Sequence, residues 1–224
     1  MILSAHQPAY LPWLGYFEKI ALSDVFIYMD NVQYEKNSFI NRNYIKTPFG
    51  KQLLTIPVHS NGHLSKTILE INMVNNINWR EKHIRSICQN YSKVKDFKKK
   101  EEKIKKLINI EESTLAEYCF LQLKFWIDEL GLKTKVIRLS DINIQGKKSD
   151  LILELCKKFD CTEYLSGQLG KNYLIESDFT KENILIKYQD YQERVYDQHW
   201  GDFIPNLSIV DAWMNDAPIH FLRR

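Results

Sequence analysis

The sequence predicts an α/β fold: one domain over residues 1–224, with a Rossmann-like, mainly parallel sheet, a hairpin extension and a helical insertion at 78–130. Three observations point there. Apolar, β-rich runs at 2–5 ("ILSA") and 24–30 ("DVFIYMD") bracket a helical pattern, a βαβ unit within the first 30 residues. The same alternation returns near the end in "TKVIRL", "KKSDLILELCKKFD" and "TEYLSG". Between the two passages, helical periodicity runs through residues 78–130.

In order along the chain, residues 2–5 read as a short buried strand. "PWLGYFEKIAL" follows as a helix, with Leu14, Phe17, Ile20 and Ala21 at helical spacing. The run at 24–30 is apolar enough for a strand covered on both faces. Pro48-Phe49-Gly50 is a turn signal ahead of "QLLTIPV", so a hairpin is expected, and "KTILEINM" adds a further strand. In "LAEYCFLQLKFWIDELG", Leu115, Cys119, Gln122, Leu123, Trp126 and Leu130 form one stripe and Gly131 stops the helix. Ser149 is the expected N-cap of the helix in "KKSDLILELCKKFD", whose buried face is Leu151, Leu155 and Phe159. Residues 184–189 read as the last strand, before an aromatic tail that ends in the apolar "LSIVDAWM".

Composition narrows the class of function. The 224 residues are 44% hydrophobic and 26% charged, ordinary for a globular protein, and the net charge of +3 is mild. The basic run "KVKDFKKKEEKIKKL" is broken by acids and lacks arginine–aromatic interleaving, so it reads as a solvated helix face and no nucleic-acid partner is expected. No apolar stretch approaches the roughly 20 residues of a membrane span, and "ILSA" is far too short for a secretory signal. Cys88, Cys119, Cys156 and Cys161 lack metal-knuckle spacing, so buried thiols, no metal ligands and a cytoplasmic location are expected.

Four clusters could carry chemistry. His6 falls at the C-terminal end of the first strand, where open α/β sheets bind ligands. Gln7, Tyr10 and Trp13 share its loop, which Pro8 and Pro12 stiffen. Asp30 ends the second strand and could orient a protonated His6. After it, Gln33, Lys36, Asn41, Arg42, Asn43 and Lys46 crowd amides and cations into one segment suited to phosphate or carboxylate. Ser166, Gly167, Lys171, Asn172 and Tyr173 could cradle an anion in a turn that is not a P-loop. Gln189 and Tyr191 open an aromatic and amide surface of the kind that stacks on sugars or bases. Each cluster also has a bland reading: a tied-down turn, a solvated hairpin face, a glycine turn, or core aromatics.

Taken together, "HQPAYLPWLGYFEKI", "SDVFIYMDNVQYEK", "FINRNYIKTPFG" with "LLTIPV", "KKSDLILELCKKF", "YLSGQLGKNYL", "YQDY" and "FIPNLSIVDAWMN" resemble the WbqC-like protein family. Met29 and Ala212-Trp213 depart from the usual pattern without touching the polar clusters. The resemblance implies a place in bacterial O-antigen or other surface-polysaccharide gene clusters. It raises the weight of His6, of Asn41-Arg42-Asn43 and of the 166–173 turn.

The opening also looks like that of nucleotidyltransferase folds, but His6 has no second histidine in its loop. Three readings follow. The first is a transferase placing an acyl or aminoacyl group on the amine of a nucleotide-linked sugar. In it His6 and Asp30 are base and orienter, and acyl-CoA or another activated acyl donor is the co-substrate. The second is an adenylate-forming or nucleotidyl-transferring enzyme using ATP-Mg²⁺. The third is a non-catalytic nucleotide-sugar-binding scaffold. Homo-oligomerisation is compatible with all three.

Overall fold

A computed structural model of the chain describes residues 1–219 and 222. Strands β1 (Ile2–His6), β2 (Val25–Tyr28), β5 (Lys135–Arg138), β6 (Glu163–Ser166) and β7 (Leu185–Tyr188) form one sheet. Their spatial order is β5-β2-β1-β6-β7, and every neighbouring pair is parallel. The antiparallel hairpin β3 (Arg42–Thr47) and β4 (Gly50–Thr55) stands apart from it. The chain leaves β1 on one side toward β2 and β5, then returns to the other side of β1 with β6 and β7. That order has its switch point between β1 and β6.

Alternation along the strands decides what faces what. Leu3, Ala5, Val25 and Ile27 point into a core shared with Leu151, Leu155, Tyr164 and Phe179, from α5 (Lys148–Lys158), β6 and α6 (Glu176–Lys181). Phe26 and Tyr28 point the other way. They meet Leu14, Phe17 and Ile20 of α1 (Leu14–Ala21) in the larger core, which also takes in the hairpin and the central helices. Ser4 and His6 alternate with Leu3 and Ala5, so they face α1: Ser4 Oγ accepts from Ser23 Oγ at 2.6 Å.

The segment 78–130 is three helices, α2 (Trp79–Tyr91), α3 (Phe97–Ile108) and α4 (Leu115–Leu130). Asp96, at φ 55, marks one break. At the other, Thr114 caps α4 by accepting from the Glu117 amide, and Gly131 at φ 69 ends that helix as expected. The stripe read in α4 is buried in full, and all four cysteines are free thiols. The apolar "LSIVDAWM" holds α7 (Ile209–Met214).

Two local expectations are corrected. "KTILEINM" is no strand: Ile68–Glu70 is a 3-10 turn. Thr67 and Glu70 close a capping box there, Glu70 Oε2 accepting from Thr67 N at 2.8 Å and Thr67 Oγ1 at 2.9 Å. Ser149 does not cap α5, whose N-cap is Lys147. Its hydroxyl accepts instead from Ile175 N at 2.9 Å, tying α5 to the approach of α6.

Candidate functional site

The ends of three adjacent strands define the candidate site. Ser4 sits opposite Leu165 and Ser166 opposite Tyr188, so His6, Gly167 and Gln189 leave β1, β6 and β7 side by side. The Gln189 amide donates to Ser166 O at 2.8 Å and continues the register past β7. Its side chain reaches the far wall of the crevice, donating to Gly15 O at 2.9 Å and to Glu18 Oε2 at 2.8 Å on α1.

His6 is held from two directions. Its Nδ1 donates to Gln7 O at 2.9 Å, and Tyr16 OH donates to the same carbonyl at 3.3 Å. The rings of Tyr16 and Trp13 pack edge-on against the imidazole, at 4.7 and 5.6 Å between centroids. Burial, then the charge of Lys19, lower its pKa to about 4, against the pull of the Gln7 carbonyl. The ring is therefore neutral at pH 7, and because Nδ1 carries the proton, Nε2 carries the lone pair.

Lys19 was not among the residues singled out from sequence. It is 3% exposed, donates to Ala5 O at 2.8 Å, and burial lowers its pKa to about 7. Its only signal in the sequence is a lysine on a short helix flanked by two apolar strands. Glu18, Gly15 and Gln168 were also missed. Gln168 Nε2 donates to Gln189 O at 2.5 Å, which closes the rim.

Behind the crevice the chain folds tightly. Ser166 Oγ donates to Gly167 O at 3.0 Å. A Cβ on Gly170 would lie 1.9 Å from Ser166 Oγ and 3.1 Å from Leu174 Cδ1, so glycine is required there for space. Gly170→Ala is expected to destabilise by roughly 1–3 kcal/mol, the usual range for overpacking, measured as a lowered urea midpoint. An unchanged midpoint would mean that Ser166 is free to turn away. Gly15 is crowded too: a Cβ would meet the Tyr191 ring at 2.6 Å and Trp13 Nε1 at 2.8 Å. Tyr191 thus lies across the start of α1. Lys171, Asn172 and Tyr173 follow on the exposed turn, with Lys171 over the Tyr188 ring at 5.2 Å.

The structure does not bring the remaining candidates to His6. The carboxylate of Asp30 accepts from Arg138 Nε at 2.8 Å, Ser140 N at 2.9 Å and Ser140 Oγ at 2.8 Å. The expected orienting of His6 by Asp30 is therefore corrected: the Gln7 carbonyl does it. Asn43 Nδ2 donates to Leu11 O at 2.7 Å and Tyr10 O at 3.3 Å, holding a loop in which Leu11 has φ 43. Asn41 Nδ2 donates to Ile56 O at 2.8 Å. Lys46 is buried, its amine donating to Gln198 Oε1 at 2.8 Å and to the carbonyls of Asp202 and Gly201 at 2.5 and 3.5 Å. Tyr10 lies in the core with its hydroxyl 2.8 Å from His83 Nδ1. Arg42 Nη2 donates to Asn37 Oδ1 at 3.0 Å, Gln33 donates to Leu64 O, and Lys36 is exposed.

A hollow of about 280 Å³ lined by Ser23, Asp24, Lys133 and Thr134 opens at the other end of the sheet. It faces the N-terminal strand ends, where this class of sheet does not place its ligands.

Residues 7–220 match the WbqC-like protein family. A Mycobacterium tuberculosis (strain ATCC 25618 / H37Rv) relative, carrying the name Uncharacterized protein Rv1507c, is 33% identical over 211 residues. The alignment spans 93% of this chain and 91% of the relative. No solved structure matches. The matched span begins at Gln7, directly after β1 and His6, and runs through the β6 turn and the Gln189–Tyr191 rim to α7, well over half of the chain: the chain belongs to the WbqC-like protein family.

Proposed function

We propose that the crevice between β1 and β6 is the active site of a transferase that modifies the amine of a nucleotide-linked sugar, by acyl or aminoacyl transfer, in bacterial surface-polysaccharide assembly. The observation that carries this is the state of His6. It is a neutral imidazole whose Nδ1–H is pinned to Gln7 and whose Nε2 lone pair has no hydrogen-bond partner among the described residues. It stands at the switch point, where a ligand is expected.

The attacking nitrogen is the neutral amine, its ammonium proton lost to solvent, and Nε2 is placed to take a further proton from it as the new N–C bond forms. It then returns that proton to the leaving group of the activated acyl donor, such as a thiolate, as the C–S bond breaks. In the empty crevice His6 is a weak base, because Lys19 adds a repulsive charge to its burial. An anionic substrate beside Lys19 offsets that charge and moves the imidazole toward the range where general bases work well. Trp13, Tyr191 and Gln189 supply the stacking and amide surface for the sugar. Lys171 is the nearest exposed cation on the turn after β6.

Thermal shifts against nucleotide-linked amino sugars, acyl-CoAs and ATP-Mg²⁺ identify the ligand class, since a ligand of the folded state raises Tm. With a transferred substrate in hand, His6→Asn is expected to lower turnover by about 10²–10⁴-fold while leaving binding in place. Full turnover in that variant, or a response to ATP-Mg²⁺ alone, would overturn the reading.

A further inference from the structure

Gly167 has no obvious reason to be glycine. Its φ of −74 and ψ of 164 are open to any residue. A Cβ there would meet a single atom within 4 Å, Lys19 Nζ at 4.0 Å, which is an ordinary contact. Gly170, three residues on, differs: a Cβ there would collide with Ser166 Oγ at 1.9 Å. The absent side chain thus keeps open a volume whose nearest wall is the Lys19 amine.

That amine lacks a countercharge. Its one hydrogen bond is to the Ala5 carbonyl, and no carboxylate is paired with it among the described residues. The groups placed beside it are His6 and the Ala5 carbonyl from β1 and Gly167 from the β6 turn. His6 is neutral, and the carboxylate next to Lys19 along the chain, Glu18, accepts through Oε2 from Gln189. A buried lysine without a partner destabilises a fold, and apolar residues of the same size fill such a place better. Structural support of one carbonyl is a weak reason to keep it.

We infer that Lys19 and the open backbone of Gly167 form an oxyanion subsite of the crevice, in which a phosphate or carboxylate of the substrate supplies the countercharge the protein withholds. This deepens the reading of the crevice as the active site and rests on it for the location. The subsite carries a built-in signature: the amine gains a proton when the anion arrives, because only the charged form pairs with it. Burial of Lys19 supports this, holding the amine near neutrality in the empty protein.

The test is a pH titration of Lys19 by NMR in protein carrying ¹³Cε-labelled lysine, the signal assigned from its absence in Lys19→Met or Lys19→Arg. It is run alone, with saturating pyrophosphate and with saturating malonate. In the free protein the midpoint is expected at about 7. With the matching anion it should rise by about one unit or more, a tenfold or greater gain in proton affinity. A rise with pyrophosphate assigns the subsite to a phosphate, and a rise with malonate alone assigns it to a carboxylate. Lys19→Met should lose at least about tenfold in affinity for that anion, roughly the value of a charge-assisted contact, and should melt no lower than the parent. A midpoint unmoved by both anions, or an affinity unchanged in Lys19→Met, overturns the inference. The result is separable from that of His6→Asn. A Lys19 midpoint that moves while His6→Asn keeps full turnover sustains the subsite and removes the transferase chemistry. The converse removes the subsite alone.

Discussion

Asp30→Ala is expected to cost about 3–5 kcal/mol of folding stability, the range for removing one partner from a buried ion pair. Asp30 is fully buried, and both oxygens are in use, on Arg138 Nε and on the amide and hydroxyl of Ser140. Arg138 is also bonded through Nη1 to Glu117 on α4, so the carboxylate sits at the joint of β2, β5 and the helical segment. Its removal leaves the Arg138 guanidinium and the Ser140 amide short of an acceptor. Urea unfolding at pH 7 measures the loss. Ser140→Ala, which deletes one hydroxyl bond to the carboxylate, should cost about 1.5 kcal/mol. A loss in Asp30→Ala no larger than that would show that water replaces the carboxylate. Asp30→Asn, assayed below its melting point, should retain turnover per folded molecule, because His6 is oriented by the Gln7 carbonyl.

Acid is expected to weaken the fold well above the carboxylate range, through two histidines. Burial lowers His6 and His83 to about 4 each, from 6.5 in the unfolded chain. Between those values the unfolded chain binds more protons than the native protein, so stability rises with pH and falls as pH drops from 6.5 to 4. Each histidine contributes about 3 kcal/mol to the loss across the window. Lys19 has the same sign in a different window: its contribution grows as pH rises from about 7 toward 10.5. Burial holds Asp211 and Glu193 above their ordinary values, so they act with the opposite sign. A difference measurement removes them. His83→Asn should reduce the slope of unfolding free energy on pH by about 1.1 kcal/mol per unit between pH 6 and 5. Parallel slopes in the two proteins would mean that His83 takes up its proton without opening the core.

Much of the frame was legible because its signals are local. The βαβ start, the Pro48-Phe49-Gly50 hairpin and the Gly131 stop are each written within a few residues. The strand misread at 66–73 shows the limit. The apolar content of the segment suits a strand, but Thr67 and Glu70 satisfy the backbone between themselves and turn it into a 3-10 helix. The spatial order β5-β2-β1-β6-β7 is not written locally, because it depends on which strand ends find each other across long connections.

The site divides along the same line. His6, the 166–167 turn and Gln189 were legible as ends of strands, and they converge because those strands are neighbours. Asp30 also ends a strand next to β1, yet a residue 108 positions away claims its carboxylate. Asn43 and Lys46 likewise serve backbone carbonyls that only the folded chain brings to them. Lys19 was passed over because a lysine on an amphipathic helix is read as its solvated face. In α1 every residue but Glu18 is buried, since the Gln189–Tyr191 segment covers the side that would otherwise meet water.

The placement of β1 at the centre of the sheet also sets a timetable. The main chain at Met1 is bonded to Thr162, 161 residues later, and β6 follows at once. During synthesis at 5–20 residues per second, β1 therefore waits roughly 10–30 s with one edge unpaired before its second neighbour exists. The crevice is therefore completed late: a nascent chain can assemble β1, β2 and β5 with their helices, and yet has no complete site until β6 and the Gln189–Tyr191 segment have emerged from the ribosome.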